Sequence, residues 1–98
     1  MSDDRDQFSF LGACLPESFR LRTLTVPPGE SIDYRPVDWV DTLVVVEVGE
    51  LEVECRSGTC TSFQEGAILS FTQLEPCLLR NNGKGALVLS AISRLITP

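Results

Sequence analysis

Apolar and polar residues alternate with period two from Phe19 to Val26, the pattern of a strand with one buried face. Pro27, Pro28 and Gly29 stop it. A second extended stretch, 31–35, runs into Pro36, which lacks a ladder donor and therefore suits an edge, a bulge or a strand end. Residues 37–41 read as a connecting loop. From Thr42 to Val48 nearly every residue is apolar and β-branched, so both faces of that strand are expected to be covered. Gly49 and Glu50 form a hairpin turn, and Leu51 to Cys55 return with clean alternation. That register sends Leu51, Val53 and Cys55 inward and Glu52 and Glu54 into water.

After a turn at 56–59, further strands are expected at 60–63, 67–71, 77–80 and 86–94, separated by the turn glycines and the loop before Pro76. About eight short strands with turns every eight to twelve residues is the spacing of an all-β sandwich or barrel. No segment keeps helical periodicity over three turns, and the chain has no internal repeat. Helix is confined to a turn near residues 15–18.

Composition narrows the picture. Ninety-eight residues make one domain, which buries about 65% of its unfolded surface around a single core. An apolar fraction of 43% and a mean hydropathy of +0.10 suit a packed interior. Eight basic against fourteen acidic residues give a net charge of −6 and a pI near 4.4, which repels phosphate backbones and anionic lipids. Nucleic acid and membrane are therefore not expected partners. The opening residues carry three aspartates and no apolar run, so 1–18 reads as an acidic, partly flexible segment, 19–98 as the barrel, and the chain as cytoplasmic. In that reducing compartment Cys14, Cys55, Cys60 and Cys77 are expected as thiols, although Cys55 and Cys60 flank a short turn across which a disulfide is geometrically conceivable. The chain contains no histidine, which excludes a histidine-ligated metal centre.

Gly29, Arg35, Val37, Thr42 and Gly49 stand at the spacing of the first motif of the cupin family, in which two histidines and a glutamate occupy the three middle positions. Gly66, Thr72, Leu74, Cys77 and Asn81 keep the length of the second motif, with Cys77 in place of its histidine. The chain thus resembles a cupin from about Thr23 to Arg94. The resemblance implies a single-domain jelly-roll β-barrel of antiparallel strands, with the turn glycines and Asn81 retained as fold determinants. It also implies that the family's metal ligands are replaced by Arg35, Val37, Thr42 and Cys77, so no metal or other cofactor is expected and the family's oxygenase activities do not carry over.

If the register holds, those four side chains project into the barrel mouth. A guanidinium in a partly desolvated cup attracts a carboxylate or phosphate, so Arg35 marks a pocket for a small anionic ligand. Alternatively Pro36 turns Arg35 outward, or Asp33 or Asp38 pairs with it; a guanidinium in solvent ends the pocket built on Arg35. Cys77 is either a nucleophile activated by a neighbouring cation or a small buried apolar residue. Tyr34 and Trp39 border the mouth and either close over a flat ligand or cap the core. The apolar excess in Leu43 to Val46 and Ala86 to Leu89 adds a self-associating outer face, in keeping with the dimers common in cupins.

Three functions follow. The first is a metal-free binding module, dimeric, with a small anionic metabolite in the mouth. The second is a protein-interaction barrel whose mouth is filled by Val37, Leu74 and Trp39. The third is a metal-independent isomerase or epimerase, which comes last because its available bases, Asp33, Asp38, Asp41, Tyr34 and Cys77, all need large pKa shifts to work near neutrality.

Overall fold

Two four-stranded antiparallel sheets face each other across an apolar core, and their strand order winds the chain back and forth between them. The structure, a computed structural model, describes residues 18–94. The acidic segment and the helical turn expected near 15–18 therefore fall almost wholly outside the described residues.

The strands are β1 (Phe19–Val26), β2 (Ser31–Asp33), β3 (Thr42–Val48), β4 (Leu51–Cys55), β5 (Cys60–Phe63), β6 (Ile68–Leu69), β7 (Pro76–Arg80) and β8 (Leu87–Arg94). One sheet has the order β1-β8-β3-β6 and the other β2-β7-β4-β5. Two short 3₁₀ turns, Pro36–Trp39 and Phe71–Gln73, replace the loop expected at 37–41 and shorten the strand expected at 67–71. Pro36 explains the first: it opens a turn with its fixed φ where a missing N–H does no harm.

The valine run of β3 behaves as its composition requires. Val44 and Val46 enter the core, and Val45 on the opposite face is equally without solvent exposure. In β4, Leu51, Val53 and Cys55 are buried between the half-buried Glu52 and Glu54. Outside that sheet Arg80 reaches both carboxylates, at 3.3 Å to Glu52 and 2.7 Å to Glu54. The bond to Glu54 is the main reason its guanidinium sits above the usual arginine range. Pairing places Cys60 opposite Glu54, on the outward face, while Cys55 points inward. The two thiols thus lie on opposite faces of the hairpin and do not meet across it.

One end of the barrel is shut by Asn81, which is 1% exposed. Its Nδ2 donates to the carbonyls of Val26 at 2.8 Å and Gly85 at 2.9 Å, and its Oδ1 accepts from the Gly83 amide at 2.9 Å. Strand β7 runs from that end to the other, where Pro76 and Cys77 border an opening. Among the described residues no helix is long and apolar enough to cross a membrane.

Candidate functional site

The opening leads into a cavity of about 570 Å³, within the size range of small-molecule sites. The 3₁₀ turns build its walls. With three residues per turn, Pro36 and Trp39 fall on the same side, and both line the cavity, whereas Val37 between them is 71% exposed. The second turn delivers Phe71, which is fully buried, and Thr72.

Three aromatic rings form the inner wall. Trp39 and Phe71 meet edge to face, with centroids 4.9 Å apart, and Tyr34 meets Phe71 in the same way at 5.7 Å. Tyr34 lies nearly parallel to Trp39, at 6.4 Å and 15°. The Tyr34 amide donates to the Cys77 carbonyl at 3.1 Å, which ties the end of β2 to the start of β7. Burial raises the Tyr34 phenol above its ordinary value, so near neutrality it is a neutral hydrogen-bonding group and a poor base.

Polar groups gather at the rim. Cys77 is exposed, lines the cavity and donates its Sγ–H to the Glu54 carbonyl at 3.3 Å. Its expected reading as a buried apolar residue does not hold. Arg56, in the turn after β4, and Glu75, just before β7, also line the cavity and, among the described residues, are its only charged side chains. Glu75 adopts a left-handed φ of 49°, an uncommon conformation for a residue with a side chain.

Of the residues expected at the mouth, Tyr34, Trp39 and Cys77 line the cavity. Arg35, Val37 and Thr42 do not. The Arg35 side chain is 72% exposed, with its Nε 3.8 Å from Asp38. Its guanidinium is in solvent, so a pocket built on it is ruled out. Ile32 and Tyr34 pack against the core, so the alternation of β2 already turns Arg35 outward, and the turn that begins at Pro36 then leaves Val37 in solvent. Thr42 is buried, and its hydroxyl donates to the Val40 carbonyl at 2.9 Å. Asp33, Asp38 and Asp41 also stay outside the lining. Arg56, Phe71, Thr72 and Glu75 were missed because turn residues carry no periodicity from which a facing can be read.

The positions that hold a metal in cupins carry a guanidinium, an isopropyl group, a hydroxyl and a thiol, a donor set that does not fit one. Among the described residues no three His, Cys, Asp or Glu side chains come together as a metal site.

No family model matches the sequence, and no curated protein does. Solved structures do match. The Cupin_2 domain of an XRE-family transcriptional regulator from Enterobacter cloacae superposes with a TM-score of 0.62 at 20% identity, covering 82% of this chain and 84% of that one. A cupin domain from Bordetella pertussis Tohama I gives 0.59 at 17% identity, over 85% of this chain and 88% of that one. Ectoine synthase from P. lautus gives 0.56 at 19% identity over 83% of this chain, which spans only 57% of the synthase. At such identities the likeness concerns the fold, and the fold of this chain is that of the cupins, a jelly-roll barrel of two antiparallel sheets.

Proposed function

We propose that the protein is a metal-free, cytoplasmic binding module that holds a small molecule in the barrel mouth. The observation that carries this is the cavity itself: about 570 Å³, walled by Trp39, Tyr34 and Phe71, with one guanidinium at its rim. An aromatic wall suits a flat, largely apolar ligand body, and Arg56 takes over the anion-binding role expected of Arg35. Catalysis is not proposed, because the aspartates expected as bases lie away from the cavity and Tyr34 holds its proton. A barrel that only docks proteins has less support, since Val37 points into solvent and a cavity of about 570 Å³ remains at the mouth, although Trp39 and Leu74 pack with the core as that reading expects.

The working unit is proposed to be a homodimer formed through the outer face of the β1-β8-β3-β6 sheet, where Leu43 and Ile68 are 40% and 47% exposed. Native mass spectrometry of protein purified without added ligand tests both parts. A dimer carrying a retained small molecule, with retention reduced about tenfold or more in Arg56→Ala, is the expected result. Retention unchanged in that variant refutes the role of Arg56, and a monomer at micromolar concentration refutes the dimer.

A further inference from the structure

Arg56 and Glu75 stand on adjoining backbones. The Arg56 amide donates to the Glu75 carbonyl at 3.1 Å, so the turn after β4 and the loop before β7 are joined at this point. Side chains of opposite charge on such neighbouring segments would ordinarily neutralise each other. Among the described residues, however, neither makes an ion pair with the other or with a third group. Both instead line the cavity, the rest of whose wall is uncharged. Both residues are exposed at the rim, and Glu75 has a left-handed backbone.

A ligand entering this mouth meets one fixed positive and one negative charge above an aromatic floor. A simple anion drawn to Arg56 also meets the Glu75 carboxylate, and a simple cation drawn to Glu75 also meets the guanidinium. Each loses on one contact what it gains on the other. Only a molecule carrying both charges is matched at both. From this geometry we infer that the ligand class is a compact zwitterion: a carboxylate directed to Arg56, an ammonium or amidinium directed to Glu75, and an apolar body beside Tyr34. This rests on the reading of the mouth as a ligand site and refines its anionic ligand by adding a second, positive group. Glu75 becomes the residue that discriminates against plain anions.

The chain has a single tryptophan, and it lies in the cavity wall, so Trp39 fluorescence and its one indole N–H resonance report the site directly. The probes are benzoate, benzylammonium, benzyl alcohol and two zwitterions of different charge separation, phenylalanine and 4-(aminomethyl)benzoate. At least one zwitterion is expected to bind roughly tenfold or more tighter than benzoate and benzylammonium. In Glu75→Gln, which keeps the side chain's size, benzoate should gain and that preference should disappear. Benzoate binding the unmodified protein as tightly as both zwitterions, or a preference that survives Glu75→Gln, overturns the zwitterion while leaving the mouth a ligand site. If no probe moves the Trp39 signals, the zwitterion and the binding-module reading fall together.

Discussion

The guanidinium carbon of the half-buried Arg22 lies 5.0 Å from the centroid of the Trp39 ring. Its Nη2 donates to the Asp38 carbonyl at 2.6 Å, so one side chain clamps both the indole and the turn that carries it. Cation–π contact and a charge-assisted hydrogen bond together are worth about 1–3 kcal/mol when partly desolvated. Arg22→Met should lower stability by about that amount in urea titrations and shift the Trp39 emission maximum. Arg22→Lys should recover only part of it, because a point charge lacks the planar stacking surface.

Tyr34 supplies a pH dependence. Its phenol is raised by burial, so between the ordinary value of 10.0 and the raised one the unfolded chain has released a proton that the folded chain keeps. Stability from this group is complete below pH 10 and falls as the pH climbs toward the folded value. Because Tyr34 is the only tyrosine, absorbance at the tyrosinate band follows it alone. The titration midpoint should lie above 10 in the native protein and return to about 10 in urea. Tyr34→Phe should flatten the alkaline arm of the stability profile.

Two glycines with similar backbone angles should respond differently to one methyl group. Gly49 has φ 87° and Gly58 has φ 91°, both left-handed. A Cβ at Gly58 meets nothing within 4 Å, whereas at Gly49 it would lie 2.9 Å from the Ala86 carbonyl oxygen. Gly58→Ala should cost about 1 kcal/mol from backbone conformation alone. Gly49→Ala should cost at least roughly twice that, since backbone atoms of the β7–β8 connection must move as well. Urea midpoints of the two variants make the comparison.

At the closed end, Asn81→Ala removes three hydrogen bonds and leaves the Val26 carbonyl without that donor in a buried setting. A loss of about 2–4 kcal/mol is expected by thermal or urea unfolding. Exchange of the Gly83 amide with solvent should accelerate in the same variant.

Sequence patterning located strands well where one periodicity persisted. Strands β1, β3, β4 and β5 occupy the expected residues, because hairpin glycines and alternating or continuous apolar runs leave little freedom of register. Facing was harder to read in β1, where the apolar positions change phase between Leu21 and Leu24. The structure settles that conflict by keeping Leu24 and Val26 with the core and drawing Arg22 inward over an aromatic ring. The candidate site suffered from the same limit. Cys77 is legible because it stands at a motif position, and Tyr34 and Trp39 because they are aromatic residues in the segment that borders the mouth. Arg35 faces outward because Ile32 and Tyr34 take the inward positions of that stretch, and Val37 because a proline-initiated turn rotates by about 120° per residue where a strand alternates by 180°. Arg56 and Glu75 sit in connections whose facing depends on which distant segments they touch.

The strand order also dictates when the protein can come into being. Among the described residues strand β8, the last element, is the only neighbour of β1 and lies between it and β3. Until a growing chain has been made as far as β8, β1 has no strand to pair with and one edge of the valine-rich β3 stays open. The β1-β8-β3 pairings therefore close only once this segment has been made, and they join residues far apart in sequence, which slows that part of folding. A chain cut before Leu87 can still pair β2-β7-β4-β5 and β3 with β6, but it leaves β1 unpaired and one edge of the valine-rich β3 open to aggregation.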